Sequence, residues 1–163
     1  MQAATSPTRQ VLRLAVGSET CVAPIDAVHE ILEAGRLTPL PRTPDFVRGV
    51  MNLRGAVVPV IDLAARLGAA PSTLGKRSCI VVMEAAGDEE HGTLVAGLLV
   101  DAVYEVLDVA LDDIEPVPPL GTRIAPEFLA GMVRTRGQIA SLLAPERVLA
   151  PAELAGLIAA HAP

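Results

Sequence analysis

Two stretches of this 163-residue chain are near-copies of two others. DAVHEIL begins at Asp26 and DAVYEVL at Asp101, with five of seven letters shared at an offset of 75 residues. PDFVRGVMNLRGAVVPVIDL begins at Pro44 and PEFLAGMVRTRGQIASLLAP at Pro126, an offset of 82. In this second pair Pro44/Pro126, Phe46/Phe128, Gly49/Gly131, Arg54/Arg136 and Gly55/Gly137 coincide, and the apolar positions between them correspond. A chain rich in Val, Ala and Leu produces one such match by chance. Two matches in the same order, with nearly the same offset, indicate that a module was duplicated. The long period and the small number of copies exclude a solenoid, which stacks many shorter units.

Each module reads as short strands. The apolar residues are mostly Val, Leu, Ala and Ile, with one Tyr, two Phe and no Trp, and β-branched and small aliphatic side chains suit pleated, closely stacked sheets. Fourteen Pro and 13 Gly punctuate the apolar runs, as turns would. Leu12, Leu14 and Val16 alternate up to a turn at Gly17-Ser18, and Glu19 to Ala23 reads as the return strand of a hairpin. A short helical or bent segment is expected over Asp26 to Leu32. Val47 to Leu53 and Ala56 to Leu63 are two runs split by Arg54-Gly55, and Asp62 is placed to cap a brief helix that Gly68 closes. Cys79 to Met83, Leu94 to Val100, Ile114 to Val117, Met132 to Thr135 and Ile139 to Leu143 are further strand candidates. Pro151 stands where a helix begins, and Leu154, Leu157, Ile158 and His161 would share one face of that helix.

Short strands in small units leave edges open unless the sheet closes. The expected fold is therefore all-β, with two pseudo-symmetric small barrels in tandem, a few short helices and a C-terminal helix. The first barrel is expected at about residues 10–67, a linker at 68–77, the second barrel at about 78–150 and the helix at 151–161.

Composition removes several classes of function. A net charge of −6 with almost no aromatic residues supplies neither the basic footprint for phosphates nor rings for stacking bases. No apolar run reaches the roughly 18 residues that span a bilayer. The N-terminal MQAATSPTRQ lacks the apolar core of a secretory signal, so a cytoplasmic location is expected. Cys21 and Cys79 each lie inside an apolar run and read as reduced, buried side chains. His29, His91 and His161 are far apart, Ser78 and Ser141 have no activating motif, and no phosphate-binding glycine loop is present. Asp88-Glu89-Glu90 reads as a solvated loop. Neither an enzyme, a metal nor a cofactor is expected.

The duplication singles out polar residues. Each copy carries a Glu from the DAVxE segment and an Arg before a turn glycine: Glu30 with Arg54, and Glu105 with Arg136. Each pair is either a polar site on a loop-rich face or an ion pair that pins the turn. Gly55 and Gly137 suit a sharp turn, where positive φ is needed.

FVRGVMNLRGAVVPVIDL resembles the hallmark of the CheW family, a hydrophobic-Gly-hydrophobic run leading into NLRG and then a Pro-Val-hydrophobic-Asp-Leu strand. DAVHEIL and AGLLVDAVYEVL are similar to two further elements of that family, and the resemblance spans about residues 10–150. It implies two five-stranded SH3-like or OB-like barrels with a hydrophobic groove between them. It also implies a non-catalytic adaptor that binds the regulatory domain of a CheA-type histidine kinase and the cytoplasmic tip of chemoreceptors, with self-association in arrays. Carried over by motif, Val28, Glu30, Gly49, Arg54 and Gly55 match positions around receptor and kinase coupling. Val28, Val100 and Val103 are candidates for the groove walls, with burial in a barrel core as the alternative for each. Glu105, Gly131, Arg136 and Gly137 are the repeat counterparts. The chain departs from the family pattern at Leu14, at Cys21 and at Ala144-Pro145, which points to an accessory paralogue. A carrier that holds an apolar ligand in the inter-barrel groove is the competing reading.

Overall fold

The computed structural model describes residues 7–35, 37–39, 43–90, 92–118 and 124–161, the side chains of 157–161 excepted. Strands β1 (Thr8–Val16) and β2 (Glu19–Pro24) form a hairpin, followed by β3 (Val28–Glu33), β4 (Val47–Leu53), β5 (Ala56–Asp62) and a one-turn helix α1 (Leu63–Arg66). The second half repeats this order with β6 (Cys79–Ala86), β7 (Thr93–Val100), β8 (Ala102–Ala110), β9 (Leu129–Thr135), β10 (Gln138–Leu143) and α2 (Pro145–Leu149), and then adds α3 (Pro151–His161).

The strands form two five-stranded sheets, ordered β8-β1-β2-β10-β9 and β3-β6-β7-β5-β4. Every pairing in one sheet has its counterpart in the other. The hairpin β1–β2 matches β6–β7, antiparallel β1–β8 matches β6–β3, parallel β2–β10 matches β7–β5, and the hairpin β9–β10 matches β4–β5. Single bridges, Thr38–Val50 in one sheet and Glu115–Met132 in the other, bring the sheet edges together. The duplication is thus a physical pseudo-symmetry, and the mostly-β, two-barrel expectation holds.

The assignment of strands to barrels does not hold. Each sheet takes two strands from one half of the chain and three from the other, so residues 10–67 and 78–150 are not separate barrels. The reason lies in the connections. Only residues 25–27 separate β2 from β3, and only Asp101 separates β7 from β8. A strand beside β1 on its outer edge runs parallel to β2, so β3 could fill that place only through a crossover back along the whole of β2, which so short a link cannot span, and the chain passes to the other sheet instead. Asp101 anchors its crossing, because its N–H donates to the Ala15 carbonyl (3.0 Å) and its carboxylate accepts from the Gly17 N–H.

Two local expectations are also corrected. Over Asp26 to Leu32 only Ile25–Ala27 is a 3₁₀ turn, and the rest is strand. The period there is two: Val28, Glu30 and Leu32 are half-buried, while His29, Ile31 and Glu33 are exposed. Ile114 to Val117 is not a strand but follows a 3₁₀ turn at Leu111–Asp113 and makes the single bridge at Glu115. The other signals were read correctly: Asp62 Oδ1 accepts the Ala65 N–H (3.2 Å) at the start of α1, and Gly68 adopts φ +94°. Leu154 is buried, whereas the side chains of Leu157, Ile158 and His161 lie outside the described residues, as does His91.

Three apolar clusters hold the fold. Val11, Val22, Val133, Ala140 and Leu142 cluster in the first-described sheet, and Val60, Ile80, Val82 and Leu99 in the other. The largest cluster takes Leu14, Cys21 and Leu143 from one sheet and Ile61, Met83 and Leu98 from the other, so it joins the two. Arg66 of α1 lies beside it, its guanidinium 4.6 Å from the ring of Phe46 and 4.9 Å from that of Phe128, two residues that the repeat makes equivalent. It donates to the Val148 carbonyl (2.9 Å) and pairs with Glu153 (3.2 Å), which ties α1 to α2 and α3.

Candidate protein-docking site

The β4–β5 hairpin turns on two residues, Arg54 and Gly55, with φ of +52° and +86°. Positive φ at both central residues matches the right-handed twist of the flanking strands, and Asn52 Oδ1 steadies the turn by accepting the Gly55 N–H (3.0 Å). A residue with a Cβ is sterically disfavoured in this conformation. Arg136, the repeat counterpart, is held the same way at φ +50°, before Gly137 at +75°.

The strained backbone aims each guanidinium across its barrel at the glutamate of the DAVxE strand. Arg54 grips Glu30 with two bonds, Nη1 to Oε2 at 2.5 Å and Nη2 to Oε1 at 3.0 Å. The hydrogen bonds and charge of Glu30 push the Arg54 pKa above its ordinary value. The Arg54 side chain is nevertheless 72% exposed, so the pair lies at the surface and can be read by a partner. Glu105 receives Arg136 Nε at 3.0 Å and also Arg13, at 3.1 Å from Nη2. Its carboxyl is held below the usual range, first by the Arg13 hydrogen bonds and then, against some desolvation, by Arg136.

Arg54 also borders an open apolar groove of about 540 Å³, walled by Leu53, Val57, Leu94, Val95 and Ala155. Val57 is 67% exposed. The sequence reading missed Val57. The duplication carried only part of its signal, an apolar residue at the same place in both copies, Val57 and Ile139; that both are exposed is seen only in the structure.

The remaining candidates fall into two groups. Val28 and Val103 are equivalent in the repeat, half-buried, and packed against the joint core. Val100 is 0% exposed and lies within that core, so burial, not a groove wall, is its role in this chain. Gly49 and Gly131 are buried where another segment crosses. A Cβ on Gly49, which has φ +146°, would collide with the Thr38 carbonyl, and one on Gly131 would stand 2.8 Å from the Glu115 carbonyl oxygen. The structure therefore brings Glu30, Arg54 and Gly55 together on one surface, and buries Val100 in the joint core and Gly49 against the Thr38 crossing.

The CheW-like domain family matches residues 10–153. The chain belongs to that family. It is 35% identical over 139 residues to "Chemotaxis protein CheW" of Rhizobium meliloti, covering 85% of this chain and 86% of that one. It is 37% identical over 137 residues to "Protein FrzA" of Myxococcus xanthus, covering 84% and 81%. The solved scaffolding protein TtCheW of Thermoanaerobacter tengcongensis superimposes with a TM-score of 0.76 at 32% identity, over 88% of this chain and 89% of that one. Among the described residues of this CheW-like chain no helix is long and apolar enough to cross a membrane.

Proposed function

We propose that this CheW-like chain is a non-catalytic adaptor that couples chemoreceptors to a CheA-type histidine kinase in chemotaxis-like signalling. Its relatives named as chemotaxis and scaffolding proteins support the class. The single observation that carries the reading is the Glu30–Arg54 pair at the edge of an apolar groove. Apolar walls desolvate the side chains of a docking helix or barrel, while a charged pair at the rim fixes register and rejects wrong partners.

In this reading the kinase contributes its regulatory domain and the receptor its cytoplasmic tip, and the adaptor works in the cytoplasm, recruited to membrane arrays through those partners. Glu30 and Arg54 make the rim contacts. Gly55 allows the turn that presents Arg54, while Gly49, Val28 and Val103 hold the supporting strands in place. Glu105, Gly131, Arg136 and Gly137 repeat the arrangement on the other barrel.

Arg54→Glu tests the site in a reconstituted receptor–kinase assay. The expected outcome is a folded protein, by circular dichroism and urea denaturation, that no longer raises kinase activity. A variant that unfolds would assign the pair to pinning the turn. A folded variant that still couples would remove Arg54 from the interface.

A further inference from the structure

Glu30 and Glu105 stand at equivalent bulges, yet their carboxylates are held differently. Opposite Glu30 on β6 stands Val82, and among the described residues Arg54 alone takes the carboxylate, through both of its terminal nitrogens. The register of β1 and β8 passes from Leu12↔Val106 to Leu14↔Val103, so Tyr104 and Glu105 both lie opposite Arg13, which occupies the place of Val82. Arg13 bonds both oxygens of Glu105, and its guanidinium lies 4.3 Å from the centre of the Tyr104 ring. Arg136 is left with one bond, from Nε to Oε1 at 3.0 Å. Its two terminal nitrogens, the pair that Arg54 uses on Glu30, have no hydrogen bond among the described residues, and the side chain is 63% exposed. The guanidinium of Arg77, also exposed, lies 5.3 Å from the same ring centre and has no carboxylate at ion-pair distance among the described residues. Three guanidiniums thus share one ring and one carboxylate, on a chain whose net charge is −6.

We infer that the cluster of Arg13, Arg77, Tyr104 and Arg136 is a docking site for a short acidic segment of a partner protein, one carboxylate of which is gripped by the two terminal nitrogens of Arg136. The other barrel displays the complement, since there Arg54 holds a glutamate side chain in that two-bond geometry. A second acidic side chain of the segment meets Arg77, and the stacking of Arg77 on Tyr104 limits the rotamer freedom that binding would otherwise remove. The two barrels therefore offer different chemistry at equivalent places. The Glu30–Arg54 pair is balanced in charge, whereas this site has two cations in excess and turns basic segments away. The acidic remainder of the chain repels a long polyanion such as nucleic acid, while a short acidic segment meets the cationic face alone. None of these residues lines the Glu30–Arg54 groove, so the inference stands or falls apart from the proposed coupling.

A nuclear magnetic resonance titration of the isolated, isotope-labelled chain with a capped hexaglutamate peptide tests it. At about 50 mM salt the amide resonances of Arg77, Tyr104 and Gly137 should move with added peptide while that of Gly55 stays, and at about 0.5 M salt the movement should vanish, because screening shortens the reach of the guanidiniums. A capped hexaglutamine peptide should move none of them. Arg136→Gln and Arg77→Gln should each weaken hexaglutamate binding about three- to fivefold. Arg136→Lys keeps the charge without the planar fork and should regain only part of that loss. The side chains of Arg77 and Arg136 are exposed, so the variants should fold, and the dispersion of the same spectra reports it. A wild-type chain that does not bind hexaglutamate, shifts as large at Gly55 as at Gly137, or an Arg136→Lys chain that binds as tightly as wild type would overturn the inference. So would tighter binding of a thymidine hexanucleotide than of hexaglutamate, since that result gives the face to nucleic acid.

Discussion

Glu105 is held by two guanidiniums where its counterpart Glu30 is held by one. The difference has a consequence in acid. Arg13 and Arg136 lower the Glu105 pKa in the folded protein, so the stability that this carboxylate contributes is fully present above the ordinary glutamate range. It is lost as pH falls through the lowered, folded-state value. Urea midpoints measured from neutral pH into acid should therefore separate wild type from Glu105→Gln at neutral pH, and the gap should narrow toward the acid end. At Cys21 burial, with some help from the charge of Glu19, pushes the thiol pKa up to about 12. Iodoacetamide at neutral pH should then modify Cys79, which is half-buried, and reach Cys21 only after unfolding, as peptide mass mapping would show. Paired residues of this kind were legible because the duplication marked them twice. Arg13 was not, since the register that brings β1 beside β8 appears nowhere in the residues themselves.

At the scale of elements, the two barrels are each drawn together by a chain segment that crosses β4 or β9 at a glycine. Thr38 and Val50 exchange two backbone hydrogen bonds, at 3.0 and 2.9 Å, and Glu115 and Met132 exchange two at 2.8 Å. Gly49 and Gly131 make room for these crossings. Gly49→Ala pays twice, in collision with the Thr38 carbonyl and in a φ that side chains avoid, and should cost about 2–3 kcal/mol in urea denaturation. Gly131→Ala meets the same backbone obstacle without a positive φ and should cost less. If instead Gly49→Ala kept its urea midpoint and lost coupling, Gly49 would be a contact residue. The hairpin at Arg54-Gly55 and the cap at Asp62 were readable because they depend on neighbours in sequence. The strand at Val28–Glu33 was misread as bent or helical, although its alternation was present, because the turn at Ile25–Ala27 immediately precedes it.

At the scale of the whole molecule, the exchange of strands between halves makes each half incomplete. A chain cut within the linker would leave β1 and β2 without β8 and β10, and β6 and β7 without β3 and β5. The joint core would lose one wall as well, because it draws from both sheets. The duplication announced two similar units, and the sequence reading took similarity to mean that each copy closes on itself. Similarity alone cannot decide that, since β1 could pair with β3 as readily as with β8 if the connections allowed it. The short links at 25–27 and at Asp101 decide against it. The intact chain should therefore unfold in one transition followed equally by far-ultraviolet dichroism and by amide exchange in both sheets. Fragments 1–77 and 78–163 should each be unfolded alone and should recover native dichroism when mixed in equal amounts, since all ten strands are then present. Independent folding of either fragment would show that a barrel can close within one half, and the interleaved topology would then not be required for stability.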